Sequence, residues 1–122
     1  MPHRVLVVDD AMFMRAMIRD ILVNSGAYDV VGEAANGEEA VTQYKALKPD
    51  LVTMDIVMPQ MDGIEATREI VKFHPNAKVV MCSALGQEAL VIESIAAGAK
   101  DFIVKPFSVE KVLKVLDAAV KG

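Results

Sequence analysis

Five side chains capable of polar chemistry stand at the ends of short apolar runs: Asp9 and Asp10 after residues 5–8, Asp55 closing 51–55, Ser83 after 78–82 and Lys105 after 101–104. If those runs are strands of an open parallel sheet, all five lie at carboxyl ends, where the ligand crevice of such sheets is found. With the first and third strands adjacent, three carboxylates converge. That arrangement costs on the order of several kcal/mol unless a cation accompanies it. A hard divalent metal is therefore implied. Magnesium fits best, because it takes few carboxylates in octahedral oxygen coordination, keeps waters and recruits phosphate oxygens. Taken alone, either Asp9 or Asp10 reads as a helix cap, Ser83 as another cap and Lys105 as a surface charge. Together they are hard to explain as solvated loop residues. Met12, Met14 and Met17 read as core filler rather than as a binding face.

A fold must bring these positions together. Short β-branched runs alternate with longer segments of helical period, the pattern of a doubly wound parallel sheet covered by helices on both faces. The predicted strands are residues 5–8, 29–33, 51–55, 78–82 and 101–104, each followed by a helix. Helix one turns Met14, Met17, Ile18, Ile21 and Leu22 inward, leaves Arg15 and Arg19 outside and stops at Gly26. Helix two opens on Asn36, with Glu39 three residues on, and faces Ala40, Val41, Tyr44 and Leu47 inward before Pro49. Helix three presents Ile64, Thr67, Ile70 and Val71 before Pro75. Helix five presents Val109, Val112, Leu113 and Leu116 after a Ser108 cap. In helix four, Leu90, Val91, Ile92 and Ile95 cover more than one stripe before Gly98. Either that helix is wholly buried or part of it is exposed to a partner.

The 122 residues fit one domain spanning 1–122, for which area scaling gives roughly 6,400 Å² exposed when folded against roughly 19,000 Å² extended. Hydrophobic residues at 53% with 25% charged argue against disorder and disulfide miniproteins. A net charge of −4 carries no footprint for nucleic acid or anionic lipid. The single cysteine, Cys82, forms no intrachain disulfide and suits a reducing compartment. No apolar stretch approaches the roughly eighteen residues of a membrane helix, and no export signal is read, so a cytoplasmic location is expected. With no tethered effector in view, the domain is expected to act through its own surface.

Val-Leu-Val-Val-Asp-Asp at 5–10, Met-Asp-Ile-Val-Met-Pro at 54–59 with Asp62-Gly63, Ser83-Ala84, Gly98-Ala99 and Phe-Ile-Val-Lys-Pro-Phe at 102–107 stand in one family's order and spacing. The chain resembles the receiver domain of two-component response regulators over its whole length, particularly the stand-alone chemotaxis regulators of the CheY type. The resemblance implies a flavodoxin-like α/β fold of five strands, in the order 2-1-3-4-5, with five helices. It implies that Asp55 accepts a phosphoryl group from a histidine kinase. Asp10 would bind Mg2+ directly and Asp9 mainly through water, with the Val57 backbone carbonyl as a further ligand beside Asp55. Lys105 would pair with a phosphoryl oxygen. Ser83 would swing to the phosphoryl group and Phe102 turn inward as switch residues, altering the face of the fourth helix, fifth strand and fifth helix. Where many relatives carry tyrosine, this chain has Phe102, which removes a hydroxyl and leaves the ring. A cis Lys105-Pro106 peptide is also implied.

Other classes fit less well. A dehalogenase-like phosphohydrolase places a second Asp two residues after its nucleophile, and here that position is Val57, which can neither protonate a leaving group nor activate water. Leu85, two residues after Ser83, is likewise apolar, so slow autodephosphorylation is expected. A nucleotide or flavin binder would need glycine in the first turn, where Asp9-Asp10-Ala11-Met12-Phe13 offers charge that repels an anionic cofactor. The expectation is thus a phosphoacceptor switch and not a turnover enzyme, monomeric, working in chemotaxis with a chemotaxis-type histidine kinase, a target such as the flagellar motor switch and a possible phosphatase. A single-domain phosphorelay carrier is the alternative.

Overall fold

The computed structural model describes residues 2–121. Strands and helices alternate as β1 (His3–Val8), α1 (Met12–Ser25), β2 (Tyr28–Ala34), α2 (Gly37–Leu47), β3 (Leu51–Met54), α3 (Gly63–Phe73), β4 (Val79–Ser83), α4 (Glu88–Ala96), β5 (Asp101–Val104) and α5 (Val109–Lys121). The strands form one parallel sheet in the order β2-β1-β3-β4-β5, as the resemblance implied. Val8 pairs with Met54 across β1 and β3, so Asp9 and Asp55 leave the sheet side by side. Ser83 pairs with Val104 across β4 and β5, which brings Lys105 to the same edge.

Side chains alternate faces along each strand, and both faces are covered. Leu6, Val8, Val52, Met54 and Met81 pack with Tyr44, Ile64 and Ile70 beneath α2, α3 and α4. Val5, Val7, Leu51, Val80 and Ile103 pack with Ile18, Leu22, Val112 and Leu116 beneath α1 and α5. The accessible surface of 6323 Å² matches the sequence expectation.

The predicted caps are in place. Gly26 ends α1 at φ 76°, a left-handed conformation that suits glycine. The Asn36 side chain accepts the Glu39 N–H at 2.8 Å and Ser108 accepts that of Lys111 at 3.1 Å. Strand β1 begins two residues earlier than predicted, because His3 and Arg4 pair with Tyr28 and Asp29 through backbone bonds that need no apolar side chain.

Several orientations differ from expectation. Met17 and Val109 were expected inward but are half exposed, because α1 and α5 part around a groove lined by Met17, Ile21, Phe107, Val109 and Leu113. Of the three methionines expected to fill the core, Met12 and Met17 stand outside and only Met14 packs against it; Phe13 is exposed beside Met12. Arg15 was expected outside, but its side chain is 15% exposed and tied to neighbouring groups. On α4, Ile92 and Ile95 are exposed while Ser94 is buried, so the helix is partly free rather than engulfed.

Candidate functional site

Three strand ends build the site. From each of Asp9, Asp10 and Asp55 one carboxylate oxygen lies within 4.8 Å of the others. Asp9 and Asp55 are buried, and Asp10 is exposed. Lys105 reaches in from the end of β5, with Nζ 2.8 Å from Asp9 Oδ2 and 3.7 Å from Asp55 Oδ1. The Lys105-Pro106 peptide is cis. The lysine is thus bonded to Asp9 and only near Asp55, an ordering that the spacing of the residues did not reveal.

Local backbone fixes the carboxylates. Asp9 Oδ1 accepts the Ala11 N–H at 2.9 Å, and Asp55 Oδ1 accepts the Ile56 N–H at 2.9 Å. The loop after Asp55 folds back tightly, and the Gly63 N–H donates to the Ile56 carbonyl at 2.8 Å. A Cβ on Gly63 would overlap the Asp55 carbonyl, so glycine is required for this close approach. That loop then enters α3 through Asp62, whose side chain accepts the Glu65 N–H at 2.8 Å.

The electrostatics are those of crowded like charges. The Asp55 carboxyl is pushed up to about 6, first by burial and next by Asp9, with a smaller push from Asp10; Lys105 and the Ile56 N–H act against the rise. Raised only to about 6, the carboxyl is mainly ionised at neutral pH, the form in which a carboxylate can act as a nucleophile. Burial works to lower the Lys105 ammonium, but its bond to Asp9 and the charge of Asp55 outweigh that, so it is raised and stays protonated. The buried Cys82 thiol is pushed up to about 12, chiefly by burial, and is inert beneath the site.

The donor set suits a hard cation. It offers carboxylate oxygens, and the one cysteine nearby is a neutral thiol, so soft-metal chemistry has no ligand here. One ammonium stands against three carboxylates, leaving negative charge for a divalent ion to offset.

The other expected site residues lie around this cluster. Ser83 is buried at the end of β4, with its Oγ accepting the Leu85 N–H at 3.2 Å rather than bonding a carboxylate. Phe102 is half-buried against the core beneath α4. The Val57 and Leu85 side chains are apolar and exposed at 60% and 39%, so neither side chain presents a polar group to the cluster. Two residues at the site were not singled out as functional by sequence reasoning: Gly63, whose need is purely steric, and Arg15, whose Nη1 donates to the Asp9 carbonyl at 2.6 Å.

Known proteins match over nearly the whole chain. The response regulator receiver domain family matches residues 5–117. A chemotaxis protein CheY of Thermotoga maritima is 60% identical over 121 residues, 99% of this chain and 100% of that protein. A chemotaxis protein CheY of Bacillus subtilis is 58% identical, over 96% of this chain and 97% of that protein. Among solved structures, a chain of the CheX–CheY–BeF3–Mg2+ complex from Borrelia burgdorferi is 44% identical, with a TM-score of 0.93 over 97% of this chain and 89% of that chain.

Proposed function

The chain belongs to the response regulator receiver domain family, and on that premise we propose that residues 1–122 form one receiver that takes a phosphoryl group onto Asp55 and signals by altered protein binding in chemotaxis. The observation that carries this reading is the buried Asp55, held among two further carboxylates and one lysine at the carboxyl edge of the sheet.

Asp55 Oδ1 is held by the Ile56 N–H and faces Lys105, so Oδ2 is the oxygen left to attack. It bonds to phosphorus as the phosphorus–nitrogen bond of a kinase phosphohistidine breaks, and the leaving imidazole takes its proton from solvent. Mg2+ held by Asp9, Asp10 and Asp55, with the Val57 carbonyl, would supply positive charge to the equatorial phosphoryl oxygens. Lys105, from the carboxyl end of β5, balances the same charge. The Ser83 hydroxyl leaves the Leu85 N–H for the phosphoryl group, and the Phe102 ring turns into the space it vacates. These moves repack α4, β5 and α5, where Ile92, Ile95 and Val104 already stand exposed.

With Val57 and Leu85 apolar, nothing at these two positions orients an attacking water, so the phosphoaspartate is long-lived and the domain is a switch with slow autodephosphorylation. A chemotaxis-type histidine kinase supplies the phosphoryl group, and the output is a protein such as the flagellar motor switch; a separate phosphatase shortens the signal. The domain works as a cytoplasmic monomer. Among the described residues no helix is long and apolar enough to cross a membrane. The phosphorelay-carrier alternative is not favoured, since several of the similar chains, matched over nearly their full length, are chemotaxis proteins.

Intact-mass spectrometry after incubation with Mg2+ and acetyl phosphate tests the reading, with beryllofluoride titration controlling for a short-lived adduct. One phosphoryl group is expected on the wild type, none on Asp55→Asn, and none when Mg2+ is chelated beforehand. No adduct on the wild type, with beryllofluoride also failing to bind, would leave an acidic pocket without phosphotransfer.

A further inference from the structure

Asp10 is the most exposed of the three carboxylates, and among the described residues no donor hydrogen-bonds its side chain. Its position therefore depends on the peptide that carries it. That peptide begins at the Asp9 carbonyl, to which Arg15 Nη1 donates at 2.6 Å, while Arg15 Nε donates to Glu33 Oε1 at 3.0 Å. One guanidinium thus ties the end of β2 to the backbone between Asp9 and Asp10. From this geometry we infer that Arg15 is a positioning residue for the acidic cluster, holding the Asp9–Asp10 peptide so that Asp10 faces a metal shared with Asp9 and Asp55. The inference rests on the metal and phosphoryl reading of that cluster.

Apart from its pairing with Glu33, local structure does not favour Arg15 where it is. It sits in the first turn of α1, where the helix dipole disfavours a cation. The same turn contains no acidic residue, and Ala11 supplies no side-chain cap. Breaking a local rule in this way is expected where a site demands it. Arg19 also reaches Glu33, at 3.2 Å, but is 57% exposed and touches no part of the Asp9–Asp10 backbone. The bridge needs two donors in a rigid fork, which a lysine lacks.

The test is titration with Mg2+ alone, followed by amide chemical shifts at Ala11 and Ile56, on the wild type, Arg15→Lys, Arg15→Gln and Arg19→Gln. Groups that orient ligands from behind typically contribute on the order of ten- to a hundredfold in metal affinity. Both Arg15 variants should therefore weaken Mg2+ binding by about tenfold or more, and Arg19→Gln should match the wild type. In parallel, the rate of phosphorylation by acetyl phosphate should recover towards the wild-type value as Mg2+ is raised to saturation, because the reacting groups themselves are intact. Arg15→Lys binding Mg2+ as the wild type does, with a folded amide spectrum, would overturn the positioning role. So would loss confined to Arg15→Gln, which would assign the effect to charge. A wild type that shows no Mg2+ binding at all would instead overturn the metal reading, and this inference with it.

Discussion

At the amino ends of the strands, cations close helices. Arg4 donates to the carbonyls of Leu47 and Lys48 at the end of α2, at 2.9 and 3.2 Å, and Lys78 donates to the Val120 carbonyl near the end of α5. The Arg4 N–H bonds Asp50 at 2.8 Å, and the hydroxyl of the fully buried Tyr44 pairs with His74 Nδ1 at 2.8 Å. These contacts satisfy orphan carbonyls and complement helix dipoles. At the carboxyl ends the same chain gathers three carboxylates around one lysine and places Arg15 at the wrong end of a helix. One end of the sheet is arranged for stability, and the other keeps an electrostatic conflict that a cation and a phosphoryl group can use. Substitutions at the two ends should therefore have opposite consequences.

The largest contrast concerns function. Asp55→Asn should abolish the phosphoryl adduct altogether, whereas Tyr44→Ala should leave the acetyl phosphate reaction at the wild-type rate at any temperature where the variant is folded. The same Tyr44→Ala change should cost about 3 to 5 kcal/mol in urea unfolding, the usual range for emptying a buried aromatic site. A small loss there would mean that the amino end contributes less than its packing suggests.

Titration sharpens the comparison at the site end. Because the Asp55 carboxyl is raised from 3.8 to about 6, its protonated form favours the folded state. That stability is fully present below about pH 4 and is lost as pH rises through about 6. In chelator, wild type and Asp55→Asn should be similar near pH 4. The variant should then gain, by up to about 3 kcal/mol near pH 7. A gap independent of pH would remove charge crowding as its cause.

Smaller effects follow from single groups. Placing polar side chains at Val57 and Leu85 together should speed phosphoaspartate hydrolysis by about tenfold, which is about 1.4 kcal/mol in barrier; decay followed by intact mass would measure it, and an unchanged rate would remove these positions from control of the lifetime. Tyr44→Phe, which deletes only the hydroxyl bonded to His74, should cost about 1 kcal/mol and leave phosphorylation unaffected.

Much of this was readable in the residues. Val, Leu, Ile and Met runs marked strands buried on both faces, and polar residues at their ends marked the crevice. Helical period assigned Ile18, Leu22, Ile70 and Leu116 to the core correctly. It failed at Met17 and Val109, because period tells which way a side chain points and not how closely the neighbouring helix approaches. The convergence of Asp9, Asp10 and Asp55 was legible once β1 and β3 were neighbours, but that adjacency came from family resemblance rather than from pattern. The preference of Lys105 for Asp9 depends on tenths of an ångström, which no pattern carries. Arg15 did leave a signal, a cation in the first turn of an uncapped helix, but amphipathic reasoning placed it among solvated residues.

The most direct test is urea unfolding at pH 7 of wild type and Asp55→Asn, each in chelator and in saturating Mg2+. A conflict held open for a cation predicts that the variant is more stable in chelator, and that Mg2+ stabilises the wild type enough to close or reverse the gap. A variant less stable than wild type in chelator, with no response to Mg2+ in either protein, would contradict it and make Asp55 an ordinary structural carboxylate.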